Sequence, residues 1–380
     1  MAARKRTISR MMDFRVLTAA GDDGRLWADL VRRLPLPLRD VHFLPEYGLI
    51  YRDTYGYEPL LACVVSDENF VIQPFVKRRL NALPFLAQQN VTEPFWDIAN
   101  AYGYGGPLCA DPTAARAEPL LEWFEEQFCL WCRSEKIAAE FCSLHPILNN
   151  RQQLAGLAGV ATAPQKRVIY LDLALPENEL WRAVNRGHRS SIQRARAGGV
   201  RVDRVAADAA NLTEFERLYA ITMNRHGAAD RWYFPVNYFR NCVRYLGADR
   251  VSLFFARASA AVASAYLLLH DAGIAYYHFG GSDDAYFSLR PNNLLLYETA
   301  LWAKQAGYRF YHLGGGVTSG EDDNLLRFKA GFGGCAATLF TYGRIHDSAA
   351  YGRLCELKMS HERATLGKAL ETEYFPLYRR

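Results

Sequence analysis

Long apolar runs are missing from this chain. No stretch approaches the ~20 residues that a membrane-spanning helix needs, so no transmembrane segment is expected. The basic Met1–Arg10 segment is not followed by an apolar signal region, which predicts a cytoplasmic protein with reduced thiols. Charged residues make up 22% and no stretch is strongly biased, so long disordered segments are not expected. Also missing are a Gly-x-Ser-x-Gly elbow, a P-loop and a zinc-type histidine and cysteine cluster. Their absence argues against a serine hydrolase, an NTPase and a metallohydrolase, and no metal site is expected. Cys129-Leu130-Trp131-Cys132 has CxxC spacing, but it lies in an amphipathic helical segment with no second ligand pair. Core packing is the favoured reading over a redox or zinc role.

What remains is a chain of 380 residues, half of them hydrophobic, which is more than one core usually covers. The net charge of +5 suits an anionic small molecule, coenzyme A or tRNA; no DNA partner is expected. Ordinary surface charge is the rival explanation.

Helical patterns run near Arg25–Arg33, Pro45–Arg52 and Ala115–Ser134 in the first half. Leu60–Ser66 and Asn69–Arg78 read as a strand pair around an Asp67-Glu68 turn, and Ile137–Ser143 as a further strand. The second half repeats this order. Trp181–Ala197, Leu212–His226, Pro235–Leu246 and Pro291–Ala306 are helical; Val251–Ala258, Ala261–His270 and Ile274–Gly280 alternate like adjoining antiparallel strands. Leu130-Trp131 and Leu301-Trp302 each end a helix before an aromatic strand. The shared order predicts a duplicated α/β (α+β) unit, with domains at 13–165 and 166–347 and a helical C-terminal tail at 348–380.

One stretch stands apart. The apolar strand Tyr308–Leu313 ends in Gly314-Gly315-Gly316, and a lone lysine, Lys329, follows in the apolar segment Leu325–Gly333. Three glycines let a ligand or another backbone come very close. A lysine is costly to bury without an anionic partner. Together they mark a place where negative charge is held.

Four segments carry a family likeness: Asp97 with Tyr102-Gly103-Tyr104-Gly105-Gly106-Pro107; Gly187–Gly199, with its Arg-x-x-Ile-x-x-Ala-x-x-Gly helix; Leu218–Arg225 followed by Tyr233-Phe234; and Gly315-Gly316 with Phe328-Lys329. On these the chain resembles the FemAB-like (FemABX) proteins of the GNAT acyltransferase superfamily, over roughly 40–347. The resemblance implies two tandem GNAT-like domains, each a mixed twisted sheet flanked by helices. It implies N-acyl or aminoacyl transfer to a primary amine of a small-molecule or peptide acceptor, with no tightly bound cofactor and with aminoacyl-tRNA or acyl-CoA as co-substrate. The pyrophosphate loop Q/R-x-x-G-x-G/A of a simple acetyl-CoA enzyme does not follow the strand Ile274–Gly280 cleanly, so tRNA is the favoured donor carrier. A catalytically idle binding protein on the same fold is the rival from outside the enzyme class.

Acylation of an amine needs alignment of two reactants and stabilisation of an oxyanion. Lys329 is the first candidate for the charge, with Phe328 beside it by resemblance; the alternative is a lysine snorkelling off a short helix. Gly314, Gly315 and Gly316 are candidate backbone donors, or a ligand-free turn. His278 and His312 are candidate bases by their titration range, against the commoner role of strand histidines in cores; Asp97 and Glu298 are weaker ones. Arg186, Arg189 and Arg194 form a possible anion patch, against a solvated basic helix face. Arg225 and Tyr233 are the acceptor-side candidates by resemblance, with pairing of Arg225 to a nearby acid such as Asp230 as the structural alternative; Asp97, Tyr102 and Tyr104 are further substrate-binding candidates.

Overall fold

In the computed structural model, which describes residues 12–66, 69–114, 117–155, 157, 159–318, 320, 322–368 and 374–380, the chain divides into two units. One takes the described parts of Met1–Leu38, His42–Pro164 and Phe340–Arg380; the other takes Arg39–Val41 and Gln165–Leu339.

The first unit begins with β1 (Asp13–Thr18), β2 (Glu58–Val65), β3 (Phe70–Arg79), β4 (Trp96–Ala99), the short β5 (Leu108–Cys109) and β6 (Ile137–Ser143). Neighbours run antiparallel from β1 to β4, and β6 lies parallel to β4. A parallel pair needs a crossover, and the helix Ala117–Ser134 supplies it. Its residues Leu120, Leu121, Phe124, Phe128 and Cys132 recur at three- and four-residue spacing and pack on Leu60, Ala62, Val64 and Phe75.

In the second unit β7 (Thr162–Asp172), β8 (Val200–Val205), β9 (Val251–Ala258), β10 (Ala261–Asp271), β11 (Ile274–Ser282) and β12 (Phe310–Gly315) form the order β7-β12-β11-β10-β9-β8. From β8 to β11 the strands are an antiparallel meander, while β12 is parallel to β11 and antiparallel to β7. The crossover here is the helix Pro291–Gln305. The internal echo is therefore structural: in each unit a helix with a tryptophan near its end leads into the parallel strand.

The last strand, β13 (Cys335–Ile345), pairs antiparallel with β6 through Thr341–Ile345. The helix Ser348–Leu366 buries Leu354, Cys355 and Leu357 in a cluster with Leu86, Phe95 and Ala139. Residues 348–380 are thus no separate tail but part of the first unit, and the boundary drawn at 347 moves to 339. Adjacency in sequence hides this return.

The single helix expected at Trp181–Ala197 is two, Glu177–Ala183 and Arg186–Ala197, because the Asn185 side chain accepts from the His188 N–H and starts a new helix. Met1–Arg10 and the Asp67-Glu68 turn lie outside the described residues. Among the described residues no helix is long and apolar enough to cross a membrane.

Candidate active site

The ladder between β11 and β12 has three rungs, Ile274 with Phe310, Ala275 with Tyr311 and Tyr276 with His312. Yet β11 continues to Ser282 and β12 to Gly315. Each strand carries a register shift toward its other neighbour. Leu267 faces Phe279 and Leu268 faces Tyr277, which leaves His278 as an extra residue in β11. His312 faces Tyr170 and Gly314 faces Ile169, which does the same for Leu313 in β12. Bulges bend strands, and these two strands part after the third rung.

Lys329 stands at the parting. Asp323 caps the helix Asn324–Ala330, accepting from the Leu326 N–H at 2.9 Å. That helix aims Lys329 at β12, where its Nζ donates to the Gly315 carbonyl at 2.8 Å and lies 5.1 Å from the Tyr277 ring centre. The side chain is only 5% exposed. Burial, then the like charge of Lys166, brings its pKa down to about 7, against the opposing pull of Asp323.

Lys166, on β7, is the second cation, with Nζ 3.5 Å from the Gly316 carbonyl and a pKa also lowered by burial. Among the described residues one carboxylate, Asp323, acts on both, and it is committed elsewhere. Asp323 accepts from the Thr318 N–H at 2.8 Å and hydroxyl at 3.1 Å as well as from Leu326. Burial alone would raise its carboxyl, but these donors hold it below the usual range. Among the described residues two lysine amines thus stand beside one capped carboxylate, so donors outnumber anions at the strand parting.

The glycines make this closeness possible. Gly314 has φ +76, where only glycine sits without strain. A Cβ on Gly315 would lie 2.8 Å from the Arg167 carbonyl oxygen, and one on Gly316 would lie 2.4 Å from the Asp323 carboxylate. The Gly314 N–H is taken by His312 Nδ1 at 3.0 Å. The run therefore offers carbonyls to the lysines, and the expectation of three free N–H donors is corrected for Gly314.

Other sequence candidates fall into three groups. The first is internal. His312, beside Tyr276 at 5.4 Å between ring centres, lies on the sheet face opposite Tyr277 and Lys329, because neighbouring strand residues alternate. His278 is buried, with Nε2 2.9 Å from the Tyr238 hydroxyl. Neither histidine joins Lys329, which corrects both as bases. Asp97 is fully buried between Arg78, at 2.8 and 2.9 Å, and Arg379, at 2.5 and 2.9 Å. Two bidentate arginines occupy the carboxylate that was assigned to substrate.

The second group holds the site together. Phe328 packs its ring on His188 and Phe332. Its carbonyl accepts from His188 Nε2 at 2.8 Å, which leaves Nδ1 to accept from Asn293 at 3.2 Å. Phe328 thus fixes the lysine helix and is not a reacting group. Arg189 donates to the carbonyls of Arg182 and Val184, closing the C-terminal end of the preceding short helix, so it is corrected as an anion ligand. Cys129 and Cys132 are free thiols, Cys132 in the core cluster and Cys129 3.5 Å from Arg344.

The third group has partners of its own within each unit. Arg225 donates to the Ser282 carbonyl at 3.2 Å, at the parted end of β11, and lies 4.7 Å from the Phe287 ring centre. The alternative pairing with Asp230 is not the recorded one. The half-exposed Tyr233 donates to Asn224 at 3.0 Å. In the first unit the exposed Tyr102 donates its N–H to the Tyr51 hydroxyl, and Tyr104 lies edge-on to His42 and His145. Sequence reasoning missed Lys166, His188 and Asp323. The Asp323-Asn324 start before an apolar run is a capping signature; nothing local marks Lys166.

Residues 182–329 match the family model described as an acetyltransferase (GNAT) domain, and the match ends on Lys329. The whole chain is similar in fold to the crystal structure of FemX, with a TM-score of 0.68 at 15% identity, over 90% of this chain and 99% of that one. The chain thus has a FemX-like fold, with a GNAT-type acetyltransferase match over 182–329. This fold is also similar to a conserved protein of unknown function from Bacteroides thetaiotaomicron, with a TM-score of 0.52 at 11% identity over 88% and 99% of the two chains. L-PGS from Bacillus licheniformis is similar at 0.50 and 10% identity, over 86% and 93%. No curated protein matches the chain.

Proposed function

We propose that this FemABX-like protein is an N-acyltransferase that moves an aminoacyl group from aminoacyl-tRNA to a primary amine of a small-molecule or peptide acceptor. The observation that carries the reading is the excess cation at the strand parting, Lys329 with Lys166. A planar ester carbonyl becomes a tetrahedral oxyanion when an amine attacks it, and a preorganised donor in a dry place is worth most there. Lys329 donates to that oxygen. The new C–N bond forms as the C–O bond to the ribose breaks. The departing oxygen takes the amine's proton, so the products are an amide and a free hydroxyl, and no dedicated base is required.

The likeness to FemX, the positive balance of the chain and the missing pyrophosphate loop support tRNA as donor carrier. The acetyltransferase description of the 182–329 match favours acyl-CoA as the second reading. Arg225 and Tyr233, both on the second unit, are the proposed acceptor contacts.

One experiment separates the readings. The purified protein is given a mixed pool of charged tRNA and an alkylamine, and amide products are read by mass spectrometry with and without ribonuclease. RNase-sensitive product is the expected result. Product from acyl-CoA and none from charged tRNA overturns the donor assignment; no product from either, with ligand still bound, points to a binding protein.

A further inference from the structure

The helix Arg186–Ala197 contains four arginines and no acidic residue. Its buried side is Ile192 and Ala195, with His188 turned toward Phe328 and Asn293. At 100° per residue Arg186, Ser190, Gln193 and Arg194 fall on the opposite side, and all four are exposed. Among the described residues Arg186 and Arg194 have no ion pair or side-chain hydrogen bond, whereas Arg196 on the flank is paired with Glu298. Arg186 also stands in the first turn, where the helix dipole disfavours a cation. A basic first turn without an acid is unfavourable for the free protein and favourable for one that binds a polyanion.

We propose that this outward face is the docking ridge for the phosphate backbone of an RNA duplex arm on the donor, an inference that rests on the aminoacyl-tRNA reading above. Arginine, serine and glutamine side chains are the usual phosphate ligands. The eight-residue step from Arg186 to Arg194 spans about 12 Å of helix axis, enough for successive phosphates of one strand. An anionic membrane would need large apolar side chains to insert beside the charges, and the apolar side chain on this face is the single methyl of Ala197. The ridge also leads to the chemistry. At its N-terminal end the Asn185 N–H donates to the Gly331 carbonyl, and His188 holds the Phe328 carbonyl, one residue from Lys329.

The test uses the whole chain and a fluorescent acceptor-stem hairpin ending in CCA, titrated at several salt concentrations. Arg186→Glu/Arg194→Glu is compared with Arg25→Glu/Arg32→Glu, the same charge change on the helix Gly21–Arg33. The ridge variant is expected to bind roughly 10-fold or more weakly, with a salt slope lower by about 2, and the control near wild type. Equal loss in both variants, or no loss in either, overturns the ridge. So does binding to phosphatidylglycerol vesicles through the same arginines without hairpin binding. A charged CCA trinucleotide, too short to lie along the ridge, tests the donor reading by itself. If both enzymes turn it over equally and only the ridge variant loses full-length charged tRNA, the ridge stands. Turnover of the trinucleotide with unchanged hairpin affinity in the ridge variant removes the ridge and leaves the donor. Turnover of acyl-CoA alone removes the donor, and the ridge with it.

Discussion

In the first unit Glu140 and Glu125 are buried against Arg344, and Glu140 also meets His346 at 3.2 Å and the Tyr342 hydroxyl and Gln73 amide at 2.8 Å each. In the second unit Lys329 and Lys166 lie against glycine carbonyls, and among the described residues the one carboxylate acting on both is the capped Asp323. Both units have the same crossover topology and both bury charge. The first surrounds its charges with opposite ones; the second leaves an excess. Compensated burial holds an element in place, and β13 is the element held. Uncompensated burial is poor scaffolding, and its persistence at a strand parting marks the place where a ligand completes the set.

The comparison breaks most visibly if Arg344 is removed. Arg344→Met leaves two carboxylates buried with their main partner gone, and a loss of about 3–5 kcal/mol is expected in denaturant unfolding. A loss under about 1 kcal/mol would mean that the network is not structural.

Lys329→Met should do the reverse. Turnover falls by about 10²–10³-fold, as for loss of an oxyanion donor, while stability at pH 6 is kept or improved. Unchanged turnover would remove Lys329 from the chemistry.

A pH series sharpens the contrast further. Lys329 has a folded pKa of about 7 against 10.5 for an ordinary lysine. Between those values the unfolded chain binds the extra proton, so stability rises with pH there, by at most about 1.4 kcal/mol per unit. Below about 7 both forms are charged and the slope vanishes. Lys329→Met should abolish this rise, and a variant that keeps it would place the titration elsewhere. For Glu140 burial works to raise the carboxyl, but Arg344 and the hydrogen bonds outweigh it and bring the pKa to about 2 from 4.5. Its contribution is complete above 4.5 and is lost as pH falls toward 2.

The smallest effect is expected at Gly314. Gly314→Ala forces a left-handed residue at φ +76 and should cost about 1–2 kcal/mol, with any fall in turnover coming from that backbone strain, since the new Cβ meets Lys329 Nζ at an ordinary contact distance of 3.5 Å. No change in melting or turnover would show that the strand end relaxes freely.

Much of this arrangement is legible in the sequence, and unevenly so. Alternation and spacing predict the β9–β11 meander and the crossover helix Pro291–Gln305, since both are set by local periodicity. Lys329 is legible as an odd charge in an apolar stretch. Its partner Lys166 is not, because β7 reaches Gly315 from well over a hundred residues away. Asp97 looks like a ligand in the sequence for the same reason: Arg379 closes on it from the far end of the chain. Long-range pairing of charge leaves no mark on either neighbourhood.

Chain order also bears on synthesis. The residues of the second unit from Gln165 to Leu339 form one continuous stretch, whereas the first unit is interrupted and resumes at Phe340. On the ribosome the second unit can therefore finish before the first, whose strand β6 and residue Asp97 wait for β13 and Arg379. A nascent chain stopped near 339 should show a protease-resistant second unit beside a first unit that is still open.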